Sequence, residues 1–197
     1  PMRHIYRPSH ADFTYDAKYG LRDWRGGGRA SARETACRVV GGAVARQYLC
    51  VAGIEVTAFI SRIGSASRQS ASDPIEPLLA QVEEVRREQD SVGGEVTCTC
   101  TGVPAGIGEP VAGKLHAMLA AAMTSIPGVK GVEFGDGFAL SSRRGSETVD
   151  IYVGTPGGIR TLTNHSGGIQ GGISTGMPID MRIAFKPTPT IARKLMT

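Results

Sequence analysis

Apolar and polar residues alternate with period two along three stretches of this chain. Ile54 to Ile63, Gly94 to Thr101 and Ile179 to Phe185 therefore read as strands, with a fourth at Val129 to Phe134. A helical period takes over elsewhere. From about residue 32 to 50, Ala36, Val39, Val40, Ala43 and Val44 form a broad apolar stripe. Gly41-Gly42 near its middle costs helix propensity and reads as a place where another helix or sheet packs closely. Pro77 to Gln89 is an amphipathic helix whose charged face, EEVRRE, is left to solvent. Pro110, in a first-turn position, opens an Ala-, Leu- and Met-rich helix to about Ser125. Gly64 to Ser72 is a serine-rich loop, Gly135-Asp136-Gly137 a tight turn, and Phe138 to Arg144 a short helix. Residues 1–30 follow neither period and read as irregular. Strands and helices interleave without a regular repeating unit, which predicts an α+β fold and argues against a doubly wound one.

Composition changes this picture in few places. A chain of 197 residues can bury a core and is read as one domain, 1–197. Residues 1–46 hold nine Lys/Arg against four Asp/Glu, a net of +5; the remainder holds 13 against 14, a net of −1. The basic character is thus local, as an acidic-ligand site requires, although a nucleic-acid binder could share it. Cys37, Cys50, Cys98 and Cys100 make no disulfide framework. Cys98 and Cys100 share one side of a strand and read as core thiols in a reducing compartment. No run of about 18 apolar residues spans a membrane, and no signal peptide is visible. The chain opens on Pro1 and is expected to be a piece of a longer protein.

Chemistry concentrates between Arg7 and Thr35. Five arginines (Arg7, Arg22, Arg25, Arg29, Arg33), Lys18 and His10 lie there with four aromatics, Phe13, Tyr15, Tyr19 and Trp24. Gly26-Gly27-Gly28 allows a close backbone approach, and Ser31 with Glu34 has the spacing of a capping box. A glycine turn feeding a helix N-terminus offers free N–H groups and the positive end of a dipole, suited to phosphate or carboxylate. A solvated loop before an ordinary capped helix would read the same way. His10, between Pro8 and Asp12, suits acid/base work.

Three later motifs call for a reading. Gly108 to Lys114 fits the opening of a P-loop, but Leu115 stands where Ser or Thr must hold magnesium, so it is read as a helix start. Gly167-Gly168 and Gly171-Gly172 suggest close backbone approaches, to a flat ligand or to other chain, and His165 beside them is a candidate ligand contact. Lys186-Pro187-Thr188-Pro189-Thr190 could hold a phosphate or a ring edge, or serve as a stiff exit from a sheet.

The run RPSHADFTYDAKYG followed by LRDWRGGGRASARET closely resembles the chorismate synthase signature. GVPAGIGEP, VKGVEFGDGF, NHSGGIQGGISTG and FKPTPTI extend the likeness, in order, over nearly the whole chain. The resemblance implies a β-α-β sandwich, with helices layered between antiparallel sheets. It implies anti-1,4-elimination of phosphate from 5-enolpyruvylshikimate 3-phosphate to give chorismate, using reduced FMN. NADPH enters only if the enzyme reduces its own flavin. On the same ground His10 is the acid that protonates reduced flavin, and Arg7, Ser31, Ala32 and Arg33 bind substrate. Flavin contacts fall on Arg29, Ala30, Ser31, Gly128, Gly171, Lys186, Pro187, Thr188, Pro189 and Thr190. The family works as a homotetramer in the cytoplasm or a plastid, without nucleic-acid or membrane partners. The family's GESHG and RHDPC motifs, which carry a second histidine and an aspartate, have no counterpart here. A chain of these residues alone is therefore expected to bind flavin weakly or not at all and not to turn over. Two other readings remain: a basic nucleic-acid-binding module, and an inactive oligomerisation fragment of such a synthase.

Overall fold

The structure, a computed structural model, describes residues 2–26 and 31–195. A 3-10 turn at Met2–His4 leads to helix α1 (Asp12–Tyr19), which ends where Gly20, at φ +71°, donates its N–H to the Asp16 carbonyl. The opening segment is thus not wholly irregular. Charge and aromatics surround α1 on all sides, so no apolar stripe marks it in the sequence. Only Asp12 in its first turn, Lys18 in its last and the glycine beyond give it away.

A second 3-10 turn, Ala32–Glu34, runs into α2 (Thr35–Val51). Ser31 Oγ accepts the Arg33 N–H at 3.3 Å, which caps the helix start. The expected capping box is only half made, because the Glu34 carboxylate pairs with Arg38 one turn on, at 2.8 Å. Nothing lies within 4 Å of where a Cβ on Gly41 or Gly42 would stand. The close packing expected at that glycine pair is absent among the described residues. α2 buries no residue, and Val39, Val40, Val44, Tyr48 and Val51 all stand exposed.

Next come β1 (Glu55–Ile63), β2 (Ala66–Ser67), α3 (Glu76–Arg87) and β3 (Gly94–Thr101). The serine-rich loop contributes β2, which turns back on β1. α4 (Leu115–Thr124) begins five residues later than expected, because Pro110 lies in a loop closed by a bridge between Glu109 and Gly113. The Leu115 N–H then donates to the Gly172 carbonyl at 2.8 Å, tying the helix start to a later loop. β4 (Val129–Phe134), a 3-10 turn at Gly137–Ser142 and the short α5 (Gly145–Thr148) follow. Two hairpins, β5 (Tyr152–Thr155) with β6 (Gly158–Thr161) and β7 (Ile169–Gln170) with β8 (Ile173–Ser174), precede β9 (Ile179–Phe185).

β2, β1, β3, β9 and β4 form one sheet in that order, antiparallel throughout. Period two then sorts the faces. Ile179, Met181 and Ile183 of β9, aligned with Cys100, Cys98 and Val96 of β3, point to one side. There Leu115, Leu119 and Met123 of α4 and Ile169 of β7 cover them, forming the core. The expected core thiols Cys98 and Cys100 pack against it; Cys37 and Cys50 on α2 are exposed. The opposite face is polar: Thr99 donates to Asp180 at 2.7 Å, and Arg182 pairs with Glu133 at 2.6 Å. Helices layered on antiparallel sheet make this an α+β fold, as expected. Among the described residues no helix is long and apolar enough to cross a membrane.

Register also places the next segment. Val129 of β4 stands opposite Phe185 of β9, so the turn before β4 and the chain leaving β9 lie side by side. The Lys186 N–H donates to the Gly128 carbonyl at 2.9 Å.

Candidate functional site

A cavity of about 1180 Å³ opens where those two segments meet the N-terminal part of the chain. Arg7 to Asp12 and Tyr15 and Tyr19 of α1 form one wall, and Ser31 and Ala32 at the helix start another. Pro127-Gly128 and Phe185 to Thr190 form a third. Three parts of the chain that are remote in sequence thus share one space.

The arginines do not all face it. Asp12 is 5% exposed, and its carboxylate is gripped by two of them. Arg7 donates through Nε at 3.0 Å, Nη2 at 2.8 Å and its backbone N–H at 3.1 Å. Arg22 adds Nη1 at 3.1 Å and also pairs with Asp16. The Arg7 hydrogen bond, against the pull of burial, holds the Asp12 carboxyl at about 2. Arg22 is itself sunk, with 7% of its side chain exposed, donating to the Ile5 carbonyl at 2.9 Å and lying over the Tyr6 ring. It lines the cavity as well, but its guanidinium is engaged by these partners. Arg25 is spent on exposed Asp23, two residues away. Arg7 keeps Nη1 toward Gly26: a Cβ there would come within 3.0 Å of it, so glycine at φ +84° clears the approach to that edge.

His10 sits at the seam. Its Nδ1 lies 3.0 Å from the Pro8 carbonyl and its Nε2 3.2 Å from the hydroxyl of Thr190. Lys186 Nζ reaches the Ser9 carbonyl at 3.4 Å, and Ser91 Oγ donates to the Thr188 carbonyl at 2.6 Å. The Lys186–Thr190 strap is thereby tied on both sides, and Pro187 and Pro189 stiffen it.

Of the residues expected at a site, Arg7, His10, Ser31, Ala32, Gly128, Lys186, Pro187, Thr188, Pro189 and Thr190 line this cavity. Arg33 is exposed at the start of α2 and is not among the lining residues. Gly171 turns the β7–β8 hairpin, also away from the cavity, with open space where a side chain would stand. Arg29 and Ala30 lie outside the described residues. His165 is engaged elsewhere, its Nδ1 2.6 Å from Asp136, which also pairs with Arg143. Tyr15 and Tyr19 of the aromatic-rich block also line it, whereas Asp12 and Val92 are wall residues that sequence reasoning did not single out. The acid had a faint signal, one of two carboxylates between arginines five before and ten after it.

The whole chain, residues 1–197, matches the family model described as Chorismate synthase. The chain belongs to the chorismate synthase family. A chorismate synthase of Porphyromonas gingivalis is 54% identical over 98% of this chain and 58% of that protein. One of Gloeothece citriformis is 48% identical over 98% of this chain and 59% of its own length. A crystal structure of chorismate synthase superposes with a TM-score of 0.82 at 32% identity, over 90% of this chain and 62% of that one. The chain therefore spans about three-fifths of the length of these relatives. Much of the cavity wall comes from described residues of two stretches, 7–26 with 31–32 and 185–190, whose sequence resembles that of chorismate synthases.

Proposed function

We propose that this chain carries part of the site of a phosphate-eliminating lyase that converts 5-enolpyruvylshikimate 3-phosphate to chorismate with reduced FMN. The observation that carries the reading is the gathering of His10, Arg7, the capped helix start and the Lys186–Thr190 strap around one cavity. The residues present fit a flavin. About 1180 Å³ exceeds the range of roughly 300–1,000 Å³ common for single small-molecule sites, which leaves room for a ring and a second ligand. Tyr15, Tyr19, Phe185 and the two prolines supply flat walls, and Gly26, Gly94 and Gly128 leave stretches bare of side chains. Lys186, Thr188 and Thr190 would hold the cofactor's polar groups, with Ser31 beside them.

The substrate carries two carboxylates and a phosphate. Arg7, immobilised by Asp12, presents a fixed guanidinium edge to it, and Lys186 adds a point charge. His10 holds the transferable proton at Nε2. Reduced FMN held there would supply transient electron density for an elimination without net oxidation. NADPH would be needed only if the protein reduces its own flavin, and the proposed compartment is the cytoplasm or a plastid. Assembly as a homotetramer belongs to the same proposal and is supported by the bare apolar stripe of α2.

Anaerobic titration with reduced FMN, with and without 5-enolpyruvylshikimate 3-phosphate, tests the reading. Flavin affinity is expected to rise when substrate is present, and Arg7→Ala to remove that gain. Indifference to flavin, together with oligonucleotide affinity that falls steeply with salt, would instead identify a nucleic-acid-binding module.

A further inference from the structure

His10 and Thr190 are 180 residues apart, yet the imidazole Nε2 and the hydroxyl oxygen lie 3.2 Å from each other. The other ring nitrogen faces the Pro8 carbonyl at 3.0 Å. A carbonyl can only accept, so Nδ1 carries hydrogen whether the ring is charged or not. In the neutral ring Nε2 is then the acceptor, and Thr190 donates to it. In the imidazolium Nε2–H donates to Thr190 Oγ1, and the hydroxyl hydrogen turns away from the ring. Each ring nitrogen has a single in-plane direction, and both are taken. The ring has no third position from which to hand a proton directly to a ligand.

We propose that Thr190 is the positioning residue of His10 and the group through which its proton leaves. The Nε2–H bond breaks as Thr190 Oγ1 takes that hydrogen. The original Oγ1–H bond breaks as its hydrogen passes to a basic nitrogen or oxygen of the ligand in the cavity. One positive charge moves from ring to ligand, and no electrons change owner. Among the described residues Thr190 Oγ1 has no other hydrogen-bond partner, and it lines the cavity. The contact is not a chance meeting of two loose loops. Lys186 to the Ser9 carbonyl is a second tie between the same segments, and Ser91 holds the strap from behind. This inference rests on His10 being the acid of the proposed elimination.

The test compares wild type, Thr190→Val and Thr190→Ser in two arms. The first needs no ligand: long-range nitrogen–proton NMR spectra report which nitrogen of His10 carries hydrogen, and how fast the imidazolium N–H exchanges with water. Wild type should show the Nδ1–H form when neutral and a protected Nε2–H when charged. Thr190→Val should raise the Nε2–H form and speed Nε2–H exchange, and Thr190→Ser should restore both. A wild-type ring in the Nε2–H form, or a valine variant with an unchanged spectrum, overturns the pairing. The second arm measures turnover of 5-enolpyruvylshikimate 3-phosphate with reduced FMN. kcat should fall on the order of 100-fold in Thr190→Val, with KM nearly unchanged, and recover in Thr190→Ser. An unchanged kcat, or a loss confined to KM, overturns proton exit through the hydroxyl. This arm is run with the chain carried in a full-length protein that has the GESHG and RHDPC motifs; absence of turnover there removes the elimination reading and the exit step with it, while the first arm still decides the pairing.

Discussion

Asp12 shows how one carboxylate decides the meaning of two arginines. A guanidinium sunk to 7% exposure tolerates burial only beside a charge partner, and Asp12 is that partner for Arg22 while it aims Arg7. Asn at this position leaves Arg22 only the more exposed Asp16, 3.4 Å away, as counter-charge and frees Arg7 of its partner. Asp12→Asn is expected to lower stability by about 3 kcal/mol at pH 7, read from urea unfolding. The folded-state pKa of Asp12 is depressed to about 2, so its contribution is complete above the unfolded-chain value near 4. It fades as pH falls through 2. The gap between wild type and Asp12→Asn should therefore narrow between pH 4 and pH 2, and a gap independent of pH would refute the ion-pair account. Asp150 adds to acid sensitivity over the same range. Burial works to raise it, but hydrogen bonds from Thr163 and Ser166 and from the His165 N–H outweigh that and hold it at about 2.

At the scale of elements, the local periods carried far. Alternation at Gly94 to Thr101 and at Ile179 to Phe185 marked strands that pair with each other, and Val129 to Phe134 completes the sheet beside β9. α1 escaped because a helix with no apolar side has no period to detect, and α4 was begun too early because Pro110 suits a loop as well as a first turn. α3 is anchored by one residue, Leu78, which has no exposed surface. Leu78→Ala is expected to cost about 2–5 kcal/mol, the usual penalty for emptying a fully enclosed leucine site, measured by the shift of the urea midpoint. A change under 1 kcal/mol would mean that the chain around α3 closes over the gap.

The whole molecule leaves much apolar surface bare. Val39, Val40, Val44, Tyr48 and Val51 of α2 are 65–90% exposed, more than a solitary soluble chain of this size usually leaves in one stripe. Assembly through α2 predicts that Val44→Glu shifts sedimentation from a multimer toward a monomer while the circular dichroism spectrum is unchanged. A wild-type chain that sediments as a monomer at micromolar concentration would end the homotetramer reading.

Family membership, the strand positions and the candidate roles of His10 and Lys186 were legible in the residue string, because each rests on short patterns that persist whatever the rest of the chain does. Gly171 could not be placed relative to the cavity from such a pattern, and apart from the family resemblance neither could Arg22 be told from Arg7. Both lie in the same basic block, and only their distance to Asp12 and their depth separate an aimed arginine from a structural one. The meeting of His10 with Thr190 likewise had no local trace. Antiparallel pairing of β9 with β3 and β4 carries the strap back across 180 residues to the histidine, and the choice of hydrogen-bond partner is made only once the sheet has closed.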